Sequence, residues 1–225
     1  MVTRAADVVG NGTATYQLAL YSERLEPGFD LQFDGGPSVV FVRGGTVTAT
    51  AQGDEPVTLQ SSDAWVLRFP TRLVDGGATA WIDWWAISEA AEGGTDCDNL
   101  LLASEISLDS KEFLLRCDQV AFPPGGVAYT HTHAGPGIRR LISGRLRVDS
   151  NGESHEYLPG DAWFESGPIP VYAEASPEDG AAFLRVMVLP VAFKGKSSIT
   201  YLREEDRVKP KDQIYSIYVD EEVAL

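Results

Sequence analysis

The residues of this chain that could do chemistry are few and close together. Of its three histidines, two stand one residue apart in Thr130-His131-Thr132-His133. On an extended strand, residues i and i+2 point to one face. His131 and His133 therefore aim two imidazoles at one place. Imidazole is the commonest protein ligand for transition metals. The pair predicts a metal-centred site inside a β-barrel, holding a divalent transition metal: iron, manganese, nickel or zinc. Two imidazoles alone hold such an ion poorly, and mononuclear sites usually add a third protein ligand, often a carboxylate.

The elements around the pair read as strands. Glycine (22) and proline (13) punctuate short runs rich in Val, Ile, Phe, Trp and Thr. These runs, at 38–42, 46–50, 64–69, 80–87, 112–116, 145–148 and 182–189, have strand length and composition. Helical period is weak and confined to a possible start over 98–105. Many short strands with turns between them predict a sandwich or barrel. The chain also repeats itself. Gln32-Phe33-Asp34-Gly35-Gly36-Pro37-Ser38 aligns with His131-Thr132-His133-Ala134-Gly135-Pro136-Gly137, and the same offset pairs Gly45 with Gly144. Asp63-Ala64-Trp65 then matches Asp161-Ala162-Trp163, and Asp75-Gly76 resembles Asp179-Gly180. Matches in one order at near-constant spacing indicate a duplicated unit, with 89–96 as its linker. We expect units over 1–95 and 96–191, and an extension over 192–225 that packs on a barrel or on a second subunit.

Composition narrows the partners. The net charge of −15 repels phosphate backbones and anionic lipid headgroups. No Lys/Arg cluster interleaves with aromatics, so nucleic acid is not expected. No apolar run is long enough to cross a bilayer, and residues 1–7 lack a signal-peptide pattern, so a cytoplasmic protein is the expectation. Cys97 and Cys117 are too few for a structural zinc site and are expected as free thiols. No glycine-rich phosphate loop, nucleophile elbow or Cys–His pair is present.

The second half carries a family's pattern. Gly125, His131, His133 and Gly144 have the spacing of a first motif, and Pro159-Gly160-Asp161 with Gly167-Pro168-Ile169-Pro170 that of a second. In these residues the chain resembles the cupin superfamily, over about 112–189 directly and over 17–87 through the repeat. The resemblance implies an all-β fold of two tandem cupin-type jelly-roll barrels, commonly dimeric, and a metal-dependent enzyme of dioxygenase, isomerase or lyase type. Two departures stand out. The family's glutamate falls at Gly137 and its last histidine at Val171, so only His131 and His133 carry over as ligands. The first copy has Gln32 and Asp34 at the histidine positions and reads as metal-free.

Glu165 is the carboxylate chosen to complete the site. Its first-copy counterpart is Leu67, so the position faces a barrel interior, where a carboxylate needs a partner or a cation. His131, His133 and Glu165 then form a metal set, with Glu165 also catalytic. Alternatively, Glu165 pairs with Arg139, whose counterpart is Val40, and no metal binds; Arg139 otherwise anchors a substrate carboxylate. Tyr129, on the face of His131 and His133, is a candidate proton donor or else a core residue. Trp163, on the face of Glu165, walls a substrate pocket or packs the core. Trp81, Trp84 and Trp85 are too many for one strand face, so at least one looks outward into a seam or dimer interface. His155 belongs to a solvated hairpin. The functional expectation is an enzyme acting on a small carboxylated molecule; the competing one is a non-catalytic, metal-free binding module. A purely structural scaffold, the third reading, requires that neither barrel be open.

Overall fold

The computed structural model describes residues 14–33, 36–68, 70–89 and 98–225. Asp34, the segment 90–96 and Cys97 lie outside them. The first half holds β1 (Ala14–Leu25), β2 (Asp30–Phe33), β3 (Ser38–Gly44), β4 (Thr46–Ala51), β5 (Val57–Gln60), β6 (Ala64–Leu67), β7 (Thr71–Asp75), β8 (Ala80–Glu89) and β9 (Leu100–Leu108). The second holds β10 (Glu112–Phe122), β11 (Val127–His133), β12 (Gly137–Gly144), β13 (Leu146–Ser150), β14 (Glu153–Tyr157), β15 (Ala162–Glu165), β16 (Val171–Ala175) and β17 (Ala181–Leu189). The extension adds β18 (Ile199–Tyr201), a one-turn helix α1 (Glu204–Arg207) and β19 (Ile214–Ala224).

Alternation makes these strands. In β4, Val47, Ala49 and Ala51 are buried while Thr46, Thr48 and Thr50 are partly exposed, the period-2 pattern of a half-covered sheet. Strand β17 is buried at every position, because it lies mid-sheet with both faces covered.

The duplication is written into the topology. One sheet of the first barrel runs β6-β3-β8-β1-β9 and its counterpart runs β15-β12-β17-β10-β19. The facing sheets run β2-β7-β4-β5 and β18-β11-β16-β13-β14. Cross-strand pairs repeat too. Val40 lies opposite Trp65 as Arg139 lies opposite Trp163, and Ser38 opposite Leu67 as Gly137 opposite Glu165. The Gly-Pro dipeptides explain themselves by close approach. A Cβ on Gly36 would lie 2.0 Å from the Ile87 carbonyl oxygen, and one on Gly135 would lie 2.0 Å from that of Val188.

The boundary drawn at 95/96 moves. Strand β9 pairs antiparallel with β1 and so completes the first barrel's sheet. Its topological equivalent is β19, which pairs with β10, while β18 extends the facing sheet beside β11. The extension is thus part of the second barrel.

Three large apolar clusters result, with a small fourth around Leu114, Met187 and Leu189. Val40, Val42, Leu67 and Ile82 fill the first barrel. Leu141, Trp163, Phe183 and Phe122 fill one end of the second. Between the barrels, Leu18, Phe41, Trp85, Leu115, Val186 and Val219 form a continuous seam. Successive residues of a strand face opposite sides, which sorts the tryptophans. Trp85 enters the seam and donates from Nε1 to the Ile138 carbonyl oxygen at 3.1 Å. Trp84 packs with Phe33 and Tyr21 on the other face. Trp81 shares the seam-side parity but sits at the rim, 39% exposed, under the Arg24 guanidinium. Cys117 is a free thiol buried in the seam. No helix among the described residues is long and apolar enough to cross a membrane.

Candidate functional site

The interior of the second barrel carries a polar layer above its apolar end. Strand β12 positions it. Gly137 lies between Glu165 on β15 and Met187 on β17, and Arg139 between Trp163 and Arg185. Leu141, two residues on, is in the interior core, so period 2 turns Arg139 inward. Strand β11 delivers the histidines across the barrel. Its register against β16 shifts between Ala128 and His131, a bulge that re-aims the side chains. Ala128, His131 and His133 consequently line one cavity. Tyr129 does not. It lies outside, its ring facing the ammonium groups of Lys209 at 4.4 Å and Lys211 at 5.1 Å. The sequence-based placement of Tyr129 beside the histidines is corrected by that bulge.

The two imidazoles meet edge to face, with ring centroids 4.8 Å apart and their Nε2 atoms 3.2 Å apart. His131 Nδ1 lies 2.7 Å from the Tyr129 carbonyl oxygen. A carbonyl can only accept, so Nδ1 carries the proton and Nε2 of His131 is bare. His133 Nε2 can then donate to it, and the Ser198 hydroxyl, 3.5 Å from His133 Nδ1, can donate in turn. Both rings are thereby satisfied as neutral groups. Burial keeps them so. Desolvation lowers the pKa of His131, and lowers that of His133 further, with the charges of Arg139 and Arg185 adding to it.

Glu165 completes the cluster as an ion-pair partner. Its Oε2 lies 2.7 Å from Arg139 Nη2 and 3.4 Å from His133 Nε2, while its Oε1 accepts from Trp163 Nε1 at 2.9 Å. Arg139 is fully buried, and burial pulls its pKa down to about 10 while Glu165 holds it up. The 2.7 Å approach lacks hydrogen-bond geometry, so Glu165 Oε2 and Arg139 Nη2 are both left without a hydrogen-bond partner. A second buried pair, Arg185 to Asp118, is bidentate at 2.6 and 3.0 Å.

The residues do not fit the metal set expected of them. Among the described residues no group of three or more His, Cys, Asp or Glu side chains is placed to hold a metal ion. Glu165, although 3.4 Å from His133 Nε2, is instead held by Arg139 at 2.7 Å. The physical reason lies at Gly137, where the family's glutamate is missing. Arg139 folds back there, Nη1 donating to the Gly137 carbonyl oxygen at 2.5 Å, and a Cβ on Gly137 would meet that Nη1 at 3.1 Å. A fixed positive charge thus occupies the space that a ligand side chain would take. It attracts the Glu165 carboxylate and repels a divalent cation.

The chamber enclosed by these groups is small, about 30 Å³, yet large enough to admit water. Trp163 lines it, belongs also to the apolar core beside it, and is 5% exposed. A larger cavity of about 310 Å³ adjoins it, sharing Arg185, Ile199, Tyr201 and Tyr215 as a common wall. Arg116, Asp118, Ser198 and Lys211 also line the larger cavity. Lys211 donates to the carbonyl oxygens of Asp206 and Lys209 and lies 4.3 Å from the Tyr201 ring centre. Among the described residues Lys211 forms no ion pair, the nearby Asp206 carboxylate being paired with Lys209. Burial pushes the Tyr201 hydroxyl up to about 12, so it stays protonated and able to donate.

Sequence reasoning missed Arg185, Tyr201, Tyr215 and Lys211. Arg185 had a signal, a cation inside the apolar run Phe183-Leu184-Arg185-Val186-Met187. The three tail residues had none, since nothing local says that a C-terminal strand caps a barrel mouth. His155 pairs with Glu153 on the exposed hairpin, as expected.

No protein-family model and no curated protein sequence matches the chain. Solved structures do. An oxalate decarboxylase variant from Bacillus subtilis superposes with a TM-score of 0.60 at 13% identity, over 86% of this chain and 73% of that one. AerE from Microcystis aeruginosa gives 0.60 at 11%, over 76% and 88%. The salicylate 1,2-dioxygenase from Pseudaminobacter salicylatoxidans gives 0.52 at 14%, over 76% and 70%. At these identities the likeness is one of fold, and it is the all-β jelly-roll fold that the sequence motifs implied.

Proposed function

We propose that this chain, a tandem cupin-fold protein, is a binding protein for a small carboxylated molecule, received at the mouth of its second barrel without a catalytic metal. The observation that carries this reading is the buried Arg139–Glu165 pair, which sits against the histidines and takes up the carboxylate that lies 3.4 Å from His133. The cavity of about 310 Å³ suits a small organic ligand. Lys211 offers the ligand carboxylate a cation that forms no ion pair among the described residues, Tyr201 offers a hydroxyl donor, and Ile199 and Ile217 offer apolar walls. The neutral imidazole pair behind the wall acts as a rigid polar floor, each ring fixed by its own acceptor.

A second reading is a metal-dependent enzyme on the same carboxylated substrates. It is favoured by the convergence of two imidazole nitrogens and one carboxylate oxygen at 3.2 and 3.4 Å, spacings of the size expected along the edges of a coordination shell with bonds of about 2.0 Å. It requires Arg139 to release Glu165. Elemental analysis of protein purified without chelator, paired with calorimetric titration of aliphatic and aromatic carboxylates, separates the two. The binding reading expects metal far below one equivalent, unchanged in His131→Ala, and carboxylate binding weakened in Lys211→Met. Stoichiometric iron, manganese, nickel or zinc that is lost in His131→Ala would overturn it.

A further inference from the structure

A second cavity of about 510 Å³ opens where the two barrels meet, lined by Arg43, Arg140, Gln119 and Ser62 among others. It is distinct from the barrel mouth and shares no lining residue with it. Its two arginines come from the equivalent strands β3 and β12, one from each repeat. Both reach for the same acceptors. Arg43 donates from Nε to Asp83 Oδ1 at 2.9 Å and from Nη2 to Ser22 Oγ at 3.0 Å. Arg140 crosses the seam and donates from Nη1 to Ser22 Oγ at 2.7 Å and to Asp83 Oδ1.

Two guanidinium groups thus share one carboxylate, so a positive charge is left over at a site that is mostly buried. Asp83 and Arg140 are 0% and 11% exposed in their side chains. In a chain with 33 acidic and 18 basic residues, a pocket with surplus arginine is the reverse of the surface around it. The nearby Asp63 and Asp161 keep their negative charge but form no ion pair with either arginine among the described residues. Each accepts a backbone N–H of its own turn, from Gln60 and Leu158, and neither lines the cavity. Donors remain to spare. Nη1 of Arg43, and Nε and Nη2 of Arg140, have no partner among the described residues, and the Gln119 carbonyl is the atom engaged, by Tyr218. A planar fork of N–H groups matches a carboxylate bidentately. Phe41, Ile142 and Pro159 also line the cavity and give an organic body something apolar to rest on.

We propose that this inter-barrel cleft is a second ligand site, which binds a small organic carboxylate through Arg43 and Arg140. The site stands independently of the barrel-mouth reading, because its residues are different. The test is a crystal of the full chain soaked in 4-bromobenzoate, with bromine located by anomalous scattering, alongside calorimetric titration of the same compound. We expect bromine in the cleft, and affinity reduced about tenfold or more in Arg43→Gln, as the loss of one charge-assisted hydrogen bond implies. Lys211→Met leaves the cleft bromine in place. Bromine only at the barrel mouth, or nowhere, overturns the proposal. So does unchanged affinity in a folded Arg43→Gln variant. Inorganic phosphate that displaces the compound from the cleft at equal concentration overturns the assignment to carboxylates.

Discussion

Removing Glu165 tests the central pair of the second barrel against a control that the molecule itself supplies. Position 165 corresponds to Leu67 in the first barrel and position 139 to Val40, both in its apolar core. Glu165→Leu therefore installs a residue the fold already accepts there, but it strands the fully buried Arg139 guanidinium. Breaking a buried pair from one side costs about 3–5 kcal/mol. The unpaired Trp163 N–H, which now donates to Glu165, adds about 1 kcal/mol. The single variant should lose about 4–6 kcal/mol. Adding Arg139→Met removes the stranded charge and fills much of its volume, leaving mainly the tryptophan penalty, about 1–2 kcal/mol. The non-additive coupling is then about 3 kcal/mol or more. Urea denaturation followed by tryptophan fluorescence measures all the corners of the cycle. Coupling below about 1 kcal/mol would refute the pairing, and with it the view that Arg139 replaces a metal as the counter-charge of Glu165.

Other outcomes follow from the same structure. His131 and His133 have their pKa values lowered by burial, so the unfolded chain takes up the proton first. Their contribution is whole above pH about 6.5 and drains away as pH falls below it, at up to about 1.4 kcal/mol per pH unit per histidine. Urea midpoints at about pH 7.5 and 5.5 should differ less in His131→Gln/His133→Gln than in the parent; equal differences would show that the rings are not held neutral. Trp85→Phe removes the hydrogen bond to Ile138 and part of the seam's filling, costing about 2–4 kcal/mol in a denaturation midpoint. Gly36→Ala and Gly135→Ala each force a methyl against a carbonyl oxygen at 2.0 Å, and each should cost about 3 kcal/mol or more by melting temperature. A much milder loss in either would mean that the two turns are not equivalent.

The fold was readable because the pattern was stated twice. The matched Gly-Pro, Asp-Ala-Trp and Asp-Gly segments mark the same turns and strand starts in both barrels, and the apolar partners Val40 and Leu67 gave the inward phase of Arg139 and Glu165 correctly. What the phase could not give was the pairing. That two charges and two imidazoles share an interior leaves open whether a cation or a guanidinium sits among them; the guanidinium's reach back to Gly137 decided it. The misplacement of Tyr129 has a similar origin. Period 2 assumes an unbroken ladder, and one bulged residue between Ala128 and His131 reverses it. Strand β9 was assigned to the wrong barrel because a linker in sequence need not be a boundary in space. The mouth was invisible for the same reason: Ser198, Tyr201, Lys211 and Tyr215 lie in the extension and meet the barrel only through long-range pairing.

The dry joint around Trp85 also bears on how this molecule can be taken apart. The chain finishes the first sheet with β9 only three residues before β10 opens the second, and the hydrophobic faces of both share one core cluster. A nick in that short connection would sever the polypeptide without freeing either half. Each fragment alone would present a greasy sheet to water, so the halves should stay married, elute together on size-exclusion chromatography and melt as one.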